Sequence, residues 1–295
     1  MKQPLFTGSG VALVTPMHQD GSINYETLAK MLDDQIENGT DAIFVCCTTG
    51  EAPTLEDPEH LECIRFTVEH VAGRVPVIAG TGSNNTDHAI MMTKEAQEMG
   101  ADAVLLVTPY YNKTSQRGLI QHFKAIAEST TLPCIVYNVP SRTGVNIAPE
   151  TALELSKIPN MVGIKEASGN ISQVAKIARL CGDDLYIYSG NDDQIVPVLS
   201  LGGKGVVSVL ANVAPKVAHD ICQLWFDGKP QESMELQLKY LDLCNDLFMD
   251  VNPIPVKHAL NELGYEAGSC RLPLCDMSQE KQEALRNTMK AAGLL

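Results

Sequence analysis

Short apolar runs rich in β-branched residues recur along the chain, at residues 11–14, 42–47, 75–79, 103–107, 134–137, 161–164, 185–188 and 206–209. Within each run the apolar character is continuous and does not alternate with polar residues. That is the pattern of parallel strands covered on both faces. The stretches between them have helical spacing. Leu119, Ile120, Phe123, Ile126 and Ala127 fall on one helical face behind Ser115, which suits an N-cap. Ile171, Val174, Ile177, Ala178 and Cys181 repeat the arrangement behind Asn170. Eight strands alternating with helices predict a closed (β/α)8 TIM barrel more than an open doubly wound sheet.

Past residue 211 the strand pattern stops, and residues 213–226, 232–248, 255–263 and 278–292 read as helices. The first closes the barrel after strand eight. The others form a C-terminal helical appendage, giving an expected division into a catalytic barrel, 1–226, and a helical domain, 227–295. No low-complexity linker separates the two, so they are expected to pack together.

Composition narrows the functional classes. The chain has 295 residues, with 22 Lys+Arg against 36 Asp+Glu, a formal net charge of −14. Such a balance argues against a nucleic-acid or anionic-membrane partner, both of which need a basic face. No apolar run approaches the ~20 residues needed to span a bilayer. The N-terminus lacks a basic segment followed by an apolar stretch, so no signal peptide is expected. The nine cysteines include no C-x-x-C pair and are odd in number. Reduced, mostly buried thiols in a cytoplasmic protein fit this better than a disulfide framework. Cys46 and Cys47 lie in an apolar run read as strand and should face opposite sides.

In a barrel of this kind chemistry gathers at the C-terminal ends of the strands. Those ends supply Thr15, Thr48-Thr49-Gly50-Glu51, Gly80-Thr81-Gly82, Thr108-Pro109-Tyr110-Tyr111, Tyr137-Asn138, Lys165-Glu166, Ser189-Gly190-Asn191 and Ser208. Hydroxyls and one lysine converge; no carboxylate pair and no metal-ligand set is among them. Only a neutral amine attacks a carbonyl, and an ordinary lysine is only about 0.04% neutral at pH 7. A barrel interior disfavours the charged form by desolvation, which makes Lys165 a candidate nucleophile. The competing reading is a lysine paired with a carboxylate such as Glu166. Tyr137, one strand earlier, can pass protons if other hydroxyls such as Thr49 and Tyr111 hold it, although a strand-end tyrosine also serves simply as core. Arg142 has the forked geometry to grip a carboxylate, although a loop arginine is more often a solvated charge. Gly80-Thr81-Gly82 lacks the third glycine of a dinucleotide loop, because the position is Asn85.

Taken together, these residues resemble the dihydrodipicolinate synthase family, within the N-acetylneuraminate lyase superfamily. The resemblance runs from Gly8 to Leu295. Its most specific pieces are Thr48-Thr49-Gly50-Glu51, Val107-Thr108-Pro109-Tyr110-Tyr111-Asn112, Tyr137-Asn138-Val139-Pro140-Ser141-Arg142-Thr143-Gly144 and Gly163-Ile164-Lys165-Glu166-Ala167, with Asn252-Pro253-Ile254-Pro255-Val256-Lys257 in the appendage. The resemblance implies condensation of pyruvate with L-aspartate-4-semialdehyde, the first committed step toward diaminopimelate and lysine. It makes Lys165 the Schiff-base residue and Tyr137, Thr49 and Tyr111 a proton relay, Tyr111 coming from a neighbouring subunit. Arg142 would bind the semialdehyde's carboxylate. Thr48 and Thr49 would hold the pyruvate carboxylate, with Gly190 and Val207 lining the pocket. The iminium is its own electron sink, so no cofactor or metal is implied. A homotetramer built as a dimer of dimers is expected.

Two positions depart from the family pattern. Cys47 stands where a glycine usually precedes Thr-Thr-Gly-Glu. At the family's lysine-inhibition site, Asn84, His60 and Tyr110 match, but His88 replaces the acid that pairs with lysine's amino group. An imidazole cannot supply that negative charge, so weak or absent lysine feedback is expected. Two alternatives remain at this point. A sister aldolase, such as N-acetylneuraminate lyase or a 2-keto-3-deoxy sugar-acid aldolase, shares the lysine and tyrosine; the Thr48-Thr49 pair, Tyr110-Tyr111 and Arg142 favour the synthase. A non-catalytic metabolite-binding barrel predicts loss of the lysine or its partners, and all are present.

Overall fold

The computed structural model describes residues 2–295. Its strands are β1 (Gly8–Ala12), β2 (Ala42–Val45), β3 (Val77–Gly80), β4 (Ala103–Val107), β5 (Cys134–Asn138), β6 (Met161–Glu166), β7 (Tyr186–Ser189) and β8 (Gly205–Ser208). All pair in parallel with their chain neighbours, and β8 returns to β1 to close the barrel. The expected fold class is the one observed. Outside the strands run α1 (Tyr25–Glu37), α2 (Asp57–Val71), α3 (Thr86–Glu98), α4 (Gln116–Ala127), the short α5 (Pro140–Thr143), α6 (Pro149–Ser156), α7 (Ile171–Cys181), α8 (Ile195–Ser200) and α9 (Pro215–Phe226). The Ser115 hydroxyl accepts from Gly118 N, and the Asn170 amide oxygen accepts from Gln173 N, so both expected caps hold the first turns of α4 and α7.

Continuous hydrophobicity in the strands follows from two buried faces. Val11, Ile43, Val45, Val77, Ala79, Val104, Leu106, Val136, Ile164 and Ile187 face the helices, in one apolar cluster. Ala12, Phe44, Ile78, Leu105, Ile135, Tyr137, Tyr188 and Val207 form a second cluster inside the barrel. Period-two alternation assigns each residue to one of these layers. Phe6 enters the interior cluster, stacking on Tyr188 with ring centroids 4.4 Å apart, and its carbonyl accepts from the Tyr188 hydroxyl at 2.8 Å.

Strand β2 stops at Val45, short of the cysteines assigned to it from the sequence. Cys46 has φ of +52°, a left-handed conformation that no strand accommodates. The two thiols nevertheless separate, Cys46 to the helix layer and Cys47 to the barrel interior. Gly80 makes this turn possible, since a Cβ there would lie 2.2 Å from Cys46 O and 3.0 Å from Cys47 Sγ. A Cβ on Gly82 would similarly meet Val107 N at 2.3 Å. Close backbone approach thus accounts for the Gly-Thr-Gly run. All nine cysteines are free thiols, seven of them buried, with Cys275 exposed. No helix among the described residues is long and apolar enough to cross a membrane.

Beyond α9 come α10 (Pro230–Lys239), α11 (Leu241–Asp246), α12 (Ile254–Glu262) and α13 (Gln279–Ala291). The single helix expected over 232–248 is broken at Tyr240, whose backbone leaves the helical region (φ −100°, ψ 8°) while its hydroxyl reaches toward Ala292 O. Polar contacts fasten these helices to the barrel. Gln237 accepts from Val196 N at 2.7 Å and donates to Asp193 O at 2.9 Å.

The deepest tie is ionic. Lys257 of α12 meets Glu51 with Nζ and Oε1 2.7 Å apart, the two side chains 2% and 1% exposed. Lys257 also donates to Ser269 O, and Glu51 Oε2 accepts from Arg271 N at 2.8 Å. Each ion is solvated by protein groups in place of water, and removing one strands the other. Lys257→Met is therefore expected to lower unfolding free energy by roughly 3–5 kcal/mol, read from urea unfolding. Combining it with Glu51→Gln should recover part of the loss. A Lys257→Met midpoint equal to that of the wild type would mean the pair contributes nothing.

Candidate active site

Parity on β5 and β6 builds the centre of the site. Tyr137 and Lys165 are register partners, so both side chains leave their strands toward the barrel interior. Lys165 is 4% exposed, and its Nζ lies 4.3 Å from the centroid of the Tyr137 ring. On its other side Lys165 pairs with Tyr188 of β7, and Gly163, two residues earlier on the same face, leaves room for the Tyr188 ring.

The rival pairing with Glu166 does not form. One residue along the strand, Glu166 points to the opposite layer, where it is buried and accepts from Asn138 Nδ2 at 3.0 Å, Ser168 N at 2.7 Å and Gln173 Nε2 at 3.1 Å. No carboxylate among the described residues comes within 4.0 Å of Lys165 Nζ.

A cavity of about 690 Å³ reaches the Tyr137 ring, walled in part by Cys47, Thr48, Val139, Arg142 and Thr143, while Lys165 lies behind that ring and not in the cavity wall. Burial pushes the Cys47 thiol up to about 12, against the opposing pull of the Lys165 charge, so it stays protonated. Gly50 O accepts from the Thr15 hydroxyl at 2.8 Å, and Glu51 adopts a left-handed φ of +56°, anchored by Lys257. These contacts fix the Thr48–Glu51 loop. Thr49 is buried, and its oxygen accepts from Asn252 Nδ2 at 3.0 Å. Arg142, on α5 after the Pro140 start, donates from Nη2 to Asn252 O at 3.0 Å and faces the cavity. Gly190 N bonds Glu166 O at 2.8 Å, tying the loop after β7 to β6, and Val207 belongs to the interior cluster.

Tyr111 stands apart from its expected partners. Its φ is +67° and its side chain is 91% exposed, so within one chain it does not reach Tyr137. Tyr110, by contrast, lines the cavity, and its carbonyl accepts from Asn84 Nδ2 at 3.2 Å.

The residues flagged for regulation do come together. His60 and His88 line the same cavity as Tyr110. His60 Nε2 is 2.9 Å from Gly80 O, and burial holds its ring below the ordinary histidine range, so it serves as a neutral donor. His88 Nε2 lies 3.0 Å from Asp57 Oδ1. The cleft therefore contains carboxylates at Glu56 and Asp57, at the start of α2 instead of on α3, and Asp57 is engaged by the imidazole.

Sequence reading assigned no role to Asn252, Asp57, Asp192 or the Glu51–Lys257 pair. Asn252 and Lys257 lay inside a quoted motif, but their targets are some 200 residues away. Asp192 is buried near the mouth; Oδ2 accepts from Val209 N and Leu210 N, Oδ1 has no partner, and burial raises its carboxyl above the usual range.

This chain is 57% identical over 291 residues to the 4-hydroxy-tetrahydrodipicolinate synthase of Caldicellulosiruptor saccharolyticus, covering 99% of this chain and 98% of that one. Its fold superimposes on the dihydrodipicolinate synthase of Thermotoga maritima with a TM-score of 0.97 at 44% identity, covering 99% and 100% of the two chains. The DHDPS of Cyanidioschyzon merolae, solved with lysine bound, gives 0.96 at 43% identity over 99% and 100%. The model of the Dihydrodipicolinate synthetase family matches residues 5–292, and the chain belongs to that family.

Proposed function

We propose that this chain condenses pyruvate with L-aspartate-4-semialdehyde through a Schiff base on Lys165. The observation that carries the reading is the pairing of Lys165 with Tyr137 inside a closed barrel, with no carboxylate ion-paired to the lysine and with the Tyr137 ring lining a cavity that also holds Arg142. The amine attacks the pyruvate ketone, and the carbinolamine loses its oxygen as water once a proton reaches it. Tyr137 is the group placed to carry that proton. Loss of a methyl proton from the iminium gives an enamine, whose carbon attacks the aldehyde of the second substrate. The iminium nitrogen accepts the electron pair, so the step needs no cofactor.

Both threonines fit the carboxylate end of pyruvate, and the relay hydroxyl suits Thr48 better than the Thr49 expected from the sequence. Thr48 walls the cavity together with Tyr137, whereas one lone pair of Thr49 is already taken by Asn252. Tyr111 completes the relay only from a second copy; its exposure and left-handed backbone support that exchange. A dimer is then the minimal competent unit, and a dimer of dimers the assembly proposed. Arg142, oriented by Asn252 O, takes the carboxylate of the semialdehyde in a two-pronged bond.

Incubation with pyruvate and borohydride should add a stable mass to the peptide carrying Lys165, and Lys165→Ala should abolish it. Absence of the adduct would defeat the enzyme reading, while cleavage of sialic acid without condensation would select the sister aldolase. Arg142→Ala should raise KM for the semialdehyde roughly 10- to 100-fold and leave the pyruvate adduct intact; an equal rise in KM for pyruvate would contradict the assignment. Lysine must compete with His88 for Asp57, so inhibition should be weak, and His88→Glu should strengthen it. Strong wild-type inhibition at sub-millimolar lysine would refute this.

A further inference from the structure

We infer that Asn252 is a positioning residue that sets the hydroxyl direction of Thr49 and the orientation of Arg142 together, so that the helical appendage takes part in catalysis. The inference rests on the proposed Schiff-base condensation.

Asn252 is buried just ahead of α12 and touches the site twice. Its side-chain Nδ2 donates to Thr49 Oγ1 at 3.0 Å, and its backbone oxygen accepts from Arg142 Nη2 at 3.0 Å. An amide NH₂ only donates, and a threonine hydroxyl carries one proton. With the Asn252 donor occupying a lone pair, the Thr49 proton is turned away from the appendage. It then points to whatever anion the loop faces, which in the proposed reaction is the pyruvate carboxylate. Without the amide, the hydroxyl has other rotamers open to it. The backbone contact acts at the other end, holding the guanidinium fork on the α5 turn where the second substrate's carboxylate must dock.

Three further observations support this role. Lys257, one turn further along α12, grips Glu51, two residues after Thr49, through the buried ion pair. The same helix thus holds both the loop and the hydroxyl within it. Asn252 is buried while its Oδ1 has no hydrogen-bond partner. Such an uncompensated polar atom is costly unless the residue is needed for something besides packing. Finally, nothing in the barrel substitutes for it: Thr49 Oγ1 has no other side-chain donor among the described residues.

The test is a double-mutant cycle on the full-length enzyme with Asn252→Ala, Thr49→Val and both together, with Asn252→Leu as a variant that keeps shape and loses the donor. Asn252→Ala and Asn252→Leu remove the amide donor and keep the backbone oxygen that Arg142 meets, so each should lower kcat about 10- to 100-fold, change KM for the semialdehyde by less than about 2-fold, and leave thermal unfolding near that of the wild type. Adding Asn252→Ala to Thr49→Val should cost less than about 2-fold more, because the amide acts on the reaction through that hydroxyl. Losses that multiply in the double variant, or Asn252→Leu activity within about 2-fold of wild type, would show a packing role and overturn the inference. Should Asn252→Leu fail to fold, the alanine cycle decides alone. Borohydride trapping at Lys165 separates the two levels. An adduct in every protein with multiplying losses defeats only the role of Asn252, whereas no adduct in any of them defeats the reaction itself.

Discussion

The register between β5 and β6 is the constraint on which the site depends. Because side chains alternate along a strand, pairing Tyr137 with Lys165 sends both inward and sends Asn138 and Glu166 outward together. A slip of one residue would exchange the two sets. It would place a carboxylate in the barrel interior and the lysine among the helices. The outward pair secures the register chemically, since Asn138 bonds Glu166 across the two strands and Gln173 of α7 closes the cluster. A polar network on one face of the strands thereby keeps an amine without an anionic partner on the other.

The barrel alone does not finish the site. The Thr48–Glu51 loop leaves β2 through a left-handed Cys46 and contains a second left-handed residue at Glu51, conformations that cost energy for non-glycine residues. The loop keeps this shape because it is held from outside, by Thr15 on Gly50 O and by Lys257 on Glu51. The appendage therefore works as a clamp, and Arg142 and Thr49 meet it at a single residue, Asn252. The same cavity extends to His60, Tyr110 and the Asp57–His88 pair, so a ligand bound there would sit against the wall of the reaction site.

How much of this was legible in advance follows from the range of the forces involved. Continuous apolar runs at regular spacing reveal strands buried on both faces, and the caps Ser115 and Asn170 mark their helices, because both signals are local in the chain. Lys165 and Tyr137 were legible for the same reason: a polar residue that ends an apolar run lies at the mouth of a barrel. Cys46 escaped the reading because a left-handed turn leaves no mark in residue type when the residue is not glycine. The break at Tyr240 escaped it because the periodicity on either side continues unchanged.

By itself, then, the sequence determined the barrel, the order of its strands and the residue types gathered at its mouth, all of which depend on local periodicity and the burial of apolar faces. Only the tertiary structure decided which of those residues act together. It gave Glu166 to Asn138 and Gln173 instead of Lys165, turned Thr49 to Asn252, paired His88 with Asp57, and kept Tyr111 on the surface of its own chain, away from Tyr137. Those choices are set by hydrogen bonds and ion pairs a few ångströms long between residues as many as 203 positions apart, and such contacts leave no periodic trace in the chain.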